Sequence, residues 1–63
     1  MGKQTMVKHI DVTECSLVEI MAKTRNSIQH QREFGWHFSS QMFMDRSNAT
    51  IDAGQYIVLT FCK

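Results

Sequence analysis

The side chains that could carry chemistry are few and widely spaced. The sequence has three histidines, His9, His30 and His37, and two cysteines, Cys15 and Cys62. They form no CxxC pair and no HxH or HxxxH spacing, which are the patterns typical of thioredoxin-like and zinc sites. Cys15 could act as a nucleophile only with a histidine held beside it. The alternative is a structural role, because a small apolar side chain suits this position before a helix. The sequence therefore predicts no enzyme, no metal site and no cofactor.

Size and charge restrict the class of protein further. The chain has 63 residues, which allows one small domain, so we expect a single α+β domain over residues 1–63. The formal net charge of +1 argues against a nucleic-acid-binding protein, since phosphate contacts supply most of that affinity. The sequence shows neither a signal-peptide core nor an apolar run approaching the ~20 residues of a membrane span. We therefore expect a cytoplasmic protein with reduced cysteines and no membrane association.

The first half of the chain predicts a strand followed by an amphipathic helix. Residues 4–12 interleave apolar and polar side chains, which indicates a β-strand with an ambiguous inner face. Ser16 and Glu19 form a capping-box pattern that places a helix over Leu17–Glu33. Gly35 stands where a helix end favours a left-handed residue. The side chains expected to face the sheet are Leu17, Ile20, Met21, Thr24 and Ile28.

The second half predicts a hairpin. Residues 36–44 alternate, which places Trp36, Phe38 and Met42 toward the helix and their neighbours on the other face. Residues 45–54 are rich in Asp, Ser, Asn, Ala and Gly and indicate a long loop. Residues 55–62 are apolar on both faces and carry no charge, which favours the middle of a sheet.

These elements predict a β-α-β-β order, with one helix packed on a three-stranded antiparallel sheet and the last strand central. A single helix covers one face of such a sheet, and an uncovered apolar face usually marks an interface. The residues expected to form this interface are His37, Gln41, Phe43, Tyr56, Val58 and Thr60. Trp36 is expected to belong to the core, and Ser16, Glu19 and Gly35 to have structural roles.

The helix–glycine–tryptophan junction resembles a known family. Glu33-Phe34-Gly35-Trp36-His37-Phe38, followed by a short apolar strand ending in Lys63, is similar to short bacterial and phage domains of unknown function. The resemblance covers roughly residues 6–63 and implies the same strand-helix-strand-strand order. It implies no catalytic residue. Phe34 and His37 depart from the commonest form of that family.

The function that this combination favours is a non-catalytic protein-interaction module. We expect it to form a homodimer, or to bind and occlude a protein partner, as a phage- or mobile-element-encoded inhibitor of a host protein would do in the host cytoplasm. One alternative is a small nucleic-acid-binding regulator that uses Lys23, Arg25 and Arg32 on the helix. Another alternative is a small-ligand sensor with its pocket at a subunit interface.

Overall fold

One helix and three strands make up the fold. The computed structural model describes residues 3–51 and 53–63. The elements in chain order are β1 (Thr5–Asp11), α1 (Leu17–Glu33), β2 (His37–Asp45) and β3 (Gln55–Cys62). β1 and β2 each pair antiparallel with β3, so the sheet order is β1-β3-β2. The predicted fold class and the central position of the last strand are confirmed. Of the predicted 45–54 loop, Asp52 lies outside the described residues.

Both ends of α1 are fixed by local hydrogen bonds. Ser16 Oγ accepts from the Glu19 N–H at 3.3 Å, and the Glu19 carboxylate accepts from the Ser16 N–H at 3.5 Å. At the other end, Gly35 adopts φ +86°, and its N–H and that of Trp36 donate to carbonyls of the last helical turn at 3.0 and 3.1 Å. A left-handed residue with this pair of bonds terminates helices efficiently. The predicted start and end of the helix are therefore confirmed.

A β-bulge changes the faces of β2. Its register with β3 shifts between Phe38 and Ser40. An extra residue reverses the side to which the following side chains point, so Phe43 pairs with Ile57 on the helix side of the sheet. Uninterrupted alternation predicts the opposite arrangement. The predicted placement is therefore wrong for residues 40–44: Gln41 and Phe43 lie on the helix side, and Ser40, Met42 and Met44 lie on the reverse face.

The core beneath the helix is small. It consists of four buried residues, Val12, Ile57, Leu59 and Phe61. The partly buried hydrophobic residues that pack against it are Met6, Ile10, Cys15, Ile20, Ile28 and Trp36. The Trp36 ring also carries the Lys63 ammonium 5.0 Å from its centroid, at a distance typical of a cation–π contact. So few buried side chains fit the limited surface that a chain of this size can bury.

One end of the sheet is tied together through Thr13. Its hydroxyl oxygen accepts from the Gln55 N–H at 3.0 Å, and a Cβ on Gly54 would lie 2.5 Å from that oxygen. The Asp11 carboxylate accepts from the Thr13 N–H at 2.9 Å. Hydrogen bonds from the Thr13 side chain and backbone hold the pKa of Asp11 below its usual value. This contact fixes the segment between β1 and α1 against the start of β3.

Candidate interaction surface

An open groove of about 790 Å³ lies between α1 and β2. We call it the α1–β2 groove. Its lining residues are Leu17, Ile20, Met21, Thr24, Arg25, Ile28, Gln29, Arg32, Glu33 and Gln41. All but Gln41 belong to the helix, so the orientation of α1 determines the character of the groove.

Two apolar residues of α1 point into this groove instead of onto the sheet, whereas Ile20 and Ile28 pack against the core as predicted. Leu17 is 73% exposed and Met21 is 57% exposed, so their predicted packing against the sheet is wrong. At about 100° per residue, Leu17 and Met21 lie about 60° and 100° round the helix from Ile20. The groove therefore leaves two large apolar side chains in contact with water.

Polar residues share with Ile20 and Ile28 the helix side that faces the sheet. Thr24 and Gln31 are buried, and Ser27 is half-buried. Within the described part of the chain, Thr24 Oγ1 has no hydrogen-bond partner. An amphipathic helix usually turns its most apolar stripe toward its own core. Here part of that stripe, Leu17 and Met21, is turned toward β2 and exposed.

The free edge of β2 adjoins the groove. Arg46 and Gly54 exchange backbone hydrogen bonds, with N···O distances of 2.6 and 3.2 Å. Because bonded pairs alternate along an antiparallel ladder, Gln41, Phe43 and Asp45 direct their N–H and C=O groups away from β3. Phe43 is also 53% exposed. The edge thus offers both backbone partners and an aromatic side chain.

The two edges of the sheet differ in protection. Natural edge strands usually carry charges or proline that prevent pairing with other chains. β1 has Lys8 at its middle, between Met6 and Ile10. Residues 37–44 of β2 contain no Asp, Glu, Lys or Arg and no proline. β2 is therefore the edge that is better suited to pairing with a further strand.

The reverse face of the sheet is less apolar than expected. Four of the six predicted interface residues lie there, since His37, Tyr56, Val58 and Thr60 share one side of the register. Val58 is only 7% exposed, although the helix covers the other face. The other residues on this face are Thr5, Val7, His9, Asp11, Ser40, Met42, Met44 and Cys62. Its exposed apolar surface comes mainly from Val7 and Met42.

The basic residues proposed for nucleic-acid binding do not form one stripe. Lys23 Nζ donates to the Asp11 carbonyl at 3.3 Å and to Cys15 Sγ at 3.4 Å, next to the end of β1. Arg25 and Arg32 line the α1–β2 groove. Arg25 lies about 200° round the helix from Lys23. Lys23 therefore faces away from Arg25 and Arg32, which share the groove side of the helix.

The histidines and cysteines are dispersed. His30 packs edge-on against Phe34 with ring centroids 5.2 Å apart, and Cys15 and Cys62 are free and half-buried. Within residues 3–51 and 53–63, no three His, Cys, Asp or Glu side chains are placed to hold a metal ion. The same residues include no helix with the length and apolar character needed to cross a membrane.

The comparisons with known proteins leave the surface to be interpreted from its own geometry. No protein-family model matches the chain, and neither the curated proteins nor the solved structures give a match. The resemblance to short bacterial and phage domains therefore stays a prediction.

Proposed function

We propose that this chain is a non-catalytic protein-interaction module that binds through the α1–β2 groove and the adjoining edge of β2. One observation carries the proposal: α1 turns Leu17 and Met21 away from its own sheet and leaves them exposed. An apolar groove beside an uncharged edge strand combines two recognised modes of protein binding, side-chain burial and strand addition.

The charges of the groove support a protein partner. Arg25, Arg32 and Glu33 line it together with the apolar side chains. Both signs of charge around an apolar centre are typical of protein interfaces, where the rim orients the partner. A phosphate-binding surface would instead present mainly positive charge.

The shape of the molecule also supports the proposal. The radius of gyration is 12.9 Å, whereas a compact domain of this length has about 10.6 Å. The principal extents are 41 × 25 × 14 Å, so the molecule is a thin slab. A slab buries little of its own surface and gains most from a partner that covers it.

Leu17 and Val18 provide a matched pair of variants for the test. They are adjacent and similarly exposed, at 73% and 76%, but only Leu17 lines the groove. We expect the wild-type chain to self-associate or to bind the hydrophobic dye ANS through the groove. Leu17→Glu should abolish whichever is observed, and Val18→Glu should preserve it. Light scattering across micromolar concentrations and dye fluorescence measure the two outcomes.

Two results would contradict the proposal. One is a wild-type monomer that binds no dye at any concentration tested. The other is an equal loss of binding in Leu17→Glu and Val18→Glu, because that would show that the groove has no special part. Circular dichroism of both variants controls for loss of the fold.

A further inference from the structure

We infer that the partner is a second copy of this chain, whose β2 pairs antiparallel with β2 of the first copy across a two-fold axis at Phe43. The two sheets then join into one continuous sheet, and the two α1–β2 grooves close against each other. This inference rests on the proposed function and names the occupant of its surface.

The backbone pattern selects the axis. Beyond the bulge, Gln41, Phe43 and Asp45 point their N–H and C=O groups outward, as the alternation from the Arg46–Gly54 pair requires. Pairing about Phe43 brings each of these three residues opposite an outward-pointing residue of the second copy. Each such pair can exchange two backbone hydrogen bonds.

The side chains are compatible with this register. Phe43 lies opposite Phe43 of the second copy on the helix side, and cross-strand aromatic pairs stabilise sheets. Gln41 lies opposite Asp45 of the second copy, which places a hydrogen-bond donor beside a carboxylate. Met42 lies opposite Met44 of the second copy on the reverse face. No two like charges are opposed, in agreement with an edge adapted to pairing.

The exposed area agrees with what a dimer requires. The chain exposes 4870 Å² at a mass of 7.3 kDa, whereas a monomer of that mass typically exposes about 4,200 Å². The excess of about 700 Å² is close to the roughly 800 Å² that each partner contributes to a standard interface. A second copy is thus large enough to cover the surplus.

The decisive test uses single cysteine variants that are mixed. Met42 and Met44 of opposite copies would face each other at a non-bonded position, where Cβ atoms are about 4.5–5.5 Å apart. We expect a mixture of Met42→Cys and Met44→Cys, with copper phenanthroline as oxidant, to form a covalent heterodimer. Its formation should be on the order of a hundredfold faster than random collision, because the interface holds the thiols at millimolar effective concentration.

The native cysteines stay in place, and the linked peptides identify the bond. Trypsin releases residues 33–46 as one peptide, so mass spectrometry distinguishes a 42–44 link from links to Cys15 or Cys62. Val7→Cys, on the other edge strand and 50% exposed, is the control and should not link above the random rate. Each variant alone should also fail to link through its new cysteine.

A second variant tests the backbone directly. Gln41→Pro removes an N–H that points away from β3, so the sheet should survive and the dimer should be lost. Met42→Pro removes a backbone hydrogen bond to β3 and should unfold the chain. The contrast between the two variants shows that the Gln41 N–H points away from β3 and the Met42 N–H points toward it.

The outcomes separate this inference from the proposed function. A dimer sensitive to Leu17→Glu that gives no 42–44 link overturns the β2 pairing and leaves the interaction module standing. Cross-linking of Met42→Cys with itself overturns the axis at Phe43. A monomer whose groove binds dye overturns self-association and points to a different protein partner.

Discussion

Gly54 occupies a position that a larger residue would disturb. Its φ is +144°, and an added Cβ would meet Thr13 Oγ1 at 2.5 Å. The same oxygen accepts the Gln55 N–H, so moving it away would break a bond at the start of β3. Steric strain and a lost hydrogen bond therefore combine at one residue.

Gly54→Ala should cost more stability than Gly35→Ala. At Gly35 the φ of +86° is the main obstacle, because the nearest atom to an added Cβ is Lys63 Cε at an ordinary 3.6 Å. We expect a loss of about 1 kcal/mol for Gly35→Ala and more than about 2 kcal/mol for Gly54→Ala. Urea unfolding of both variants measures the difference. Equal losses would show that Thr13 moves aside without cost.

At the scale of the elements, local chemistry made most of the fold predictable. The capping box at Ser16, the left-handed Gly35 and the uncharged, two-faced apolar strand 55–62 each have a direct local cause. A strand that is apolar on both sides belongs inside a sheet, and this determined the strand order. The helix and all three strands were therefore accessible without coordinates.

The bulge in β2 and the rotation of α1 were not accessible. Strict alternation holds only over residues 36–39, because three polar residues (39–41) and then three apolar residues (42–44) follow. Such runs assign neither face, so they do not locate the extra residue before Ser40. Thr24 was expected to face the sheet together with Ile20, and it is buried there. Ser27 and Gln31 recur at helical spacing with them, but a count of apolar residues does not include these two. Gln41 and Phe43 were named as interface residues, yet the groove beside them depends on how the helix packs against distant strands.

Thr24→Val should stabilise the chain. The hydroxyl of Thr24 is buried without a hydrogen-bond partner within the described residues, and such a group costs about 1–3 kcal/mol. Valine has nearly the same shape and a similar helix propensity, so we expect a gain of about 1 kcal/mol in urea unfolding.

Thr13→Val is the matched control for that substitution. The Thr13 hydroxyl oxygen accepts a hydrogen bond from the Gln55 N–H. Replacing Thr13 by valine should therefore lower the free energy of unfolding. A destabilised Thr24→Val variant would show that the Thr24 hydroxyl is bonded in solution.

At the scale of the whole molecule, the small core links stability to association. If unfolding and dissociation are coupled, the melting temperature should rise with protein concentration, by about 5 °C for each tenfold increase in a dimer of 63-residue chains. Scanning calorimetry or circular dichroism over a hundredfold concentration range measures this shift. Leu17→Glu should remove the dependence. A wild-type melting temperature independent of concentration would mean that the single copy holds its fold alone.

The central position of β3 has a consequence for synthesis on the ribosome. β1 and β2 have no strand to pair with until β3 has left the exit tunnel, because both bond only to it within the sheet. The nascent chain can form α1 early, since the hydrogen bonds of a helix are local. The hydrogen bonds between the strands form only after β3 is available. Folding should therefore be completed late in a single step, and a ribosome stalled before residue 55 should hold a helix without a sheet.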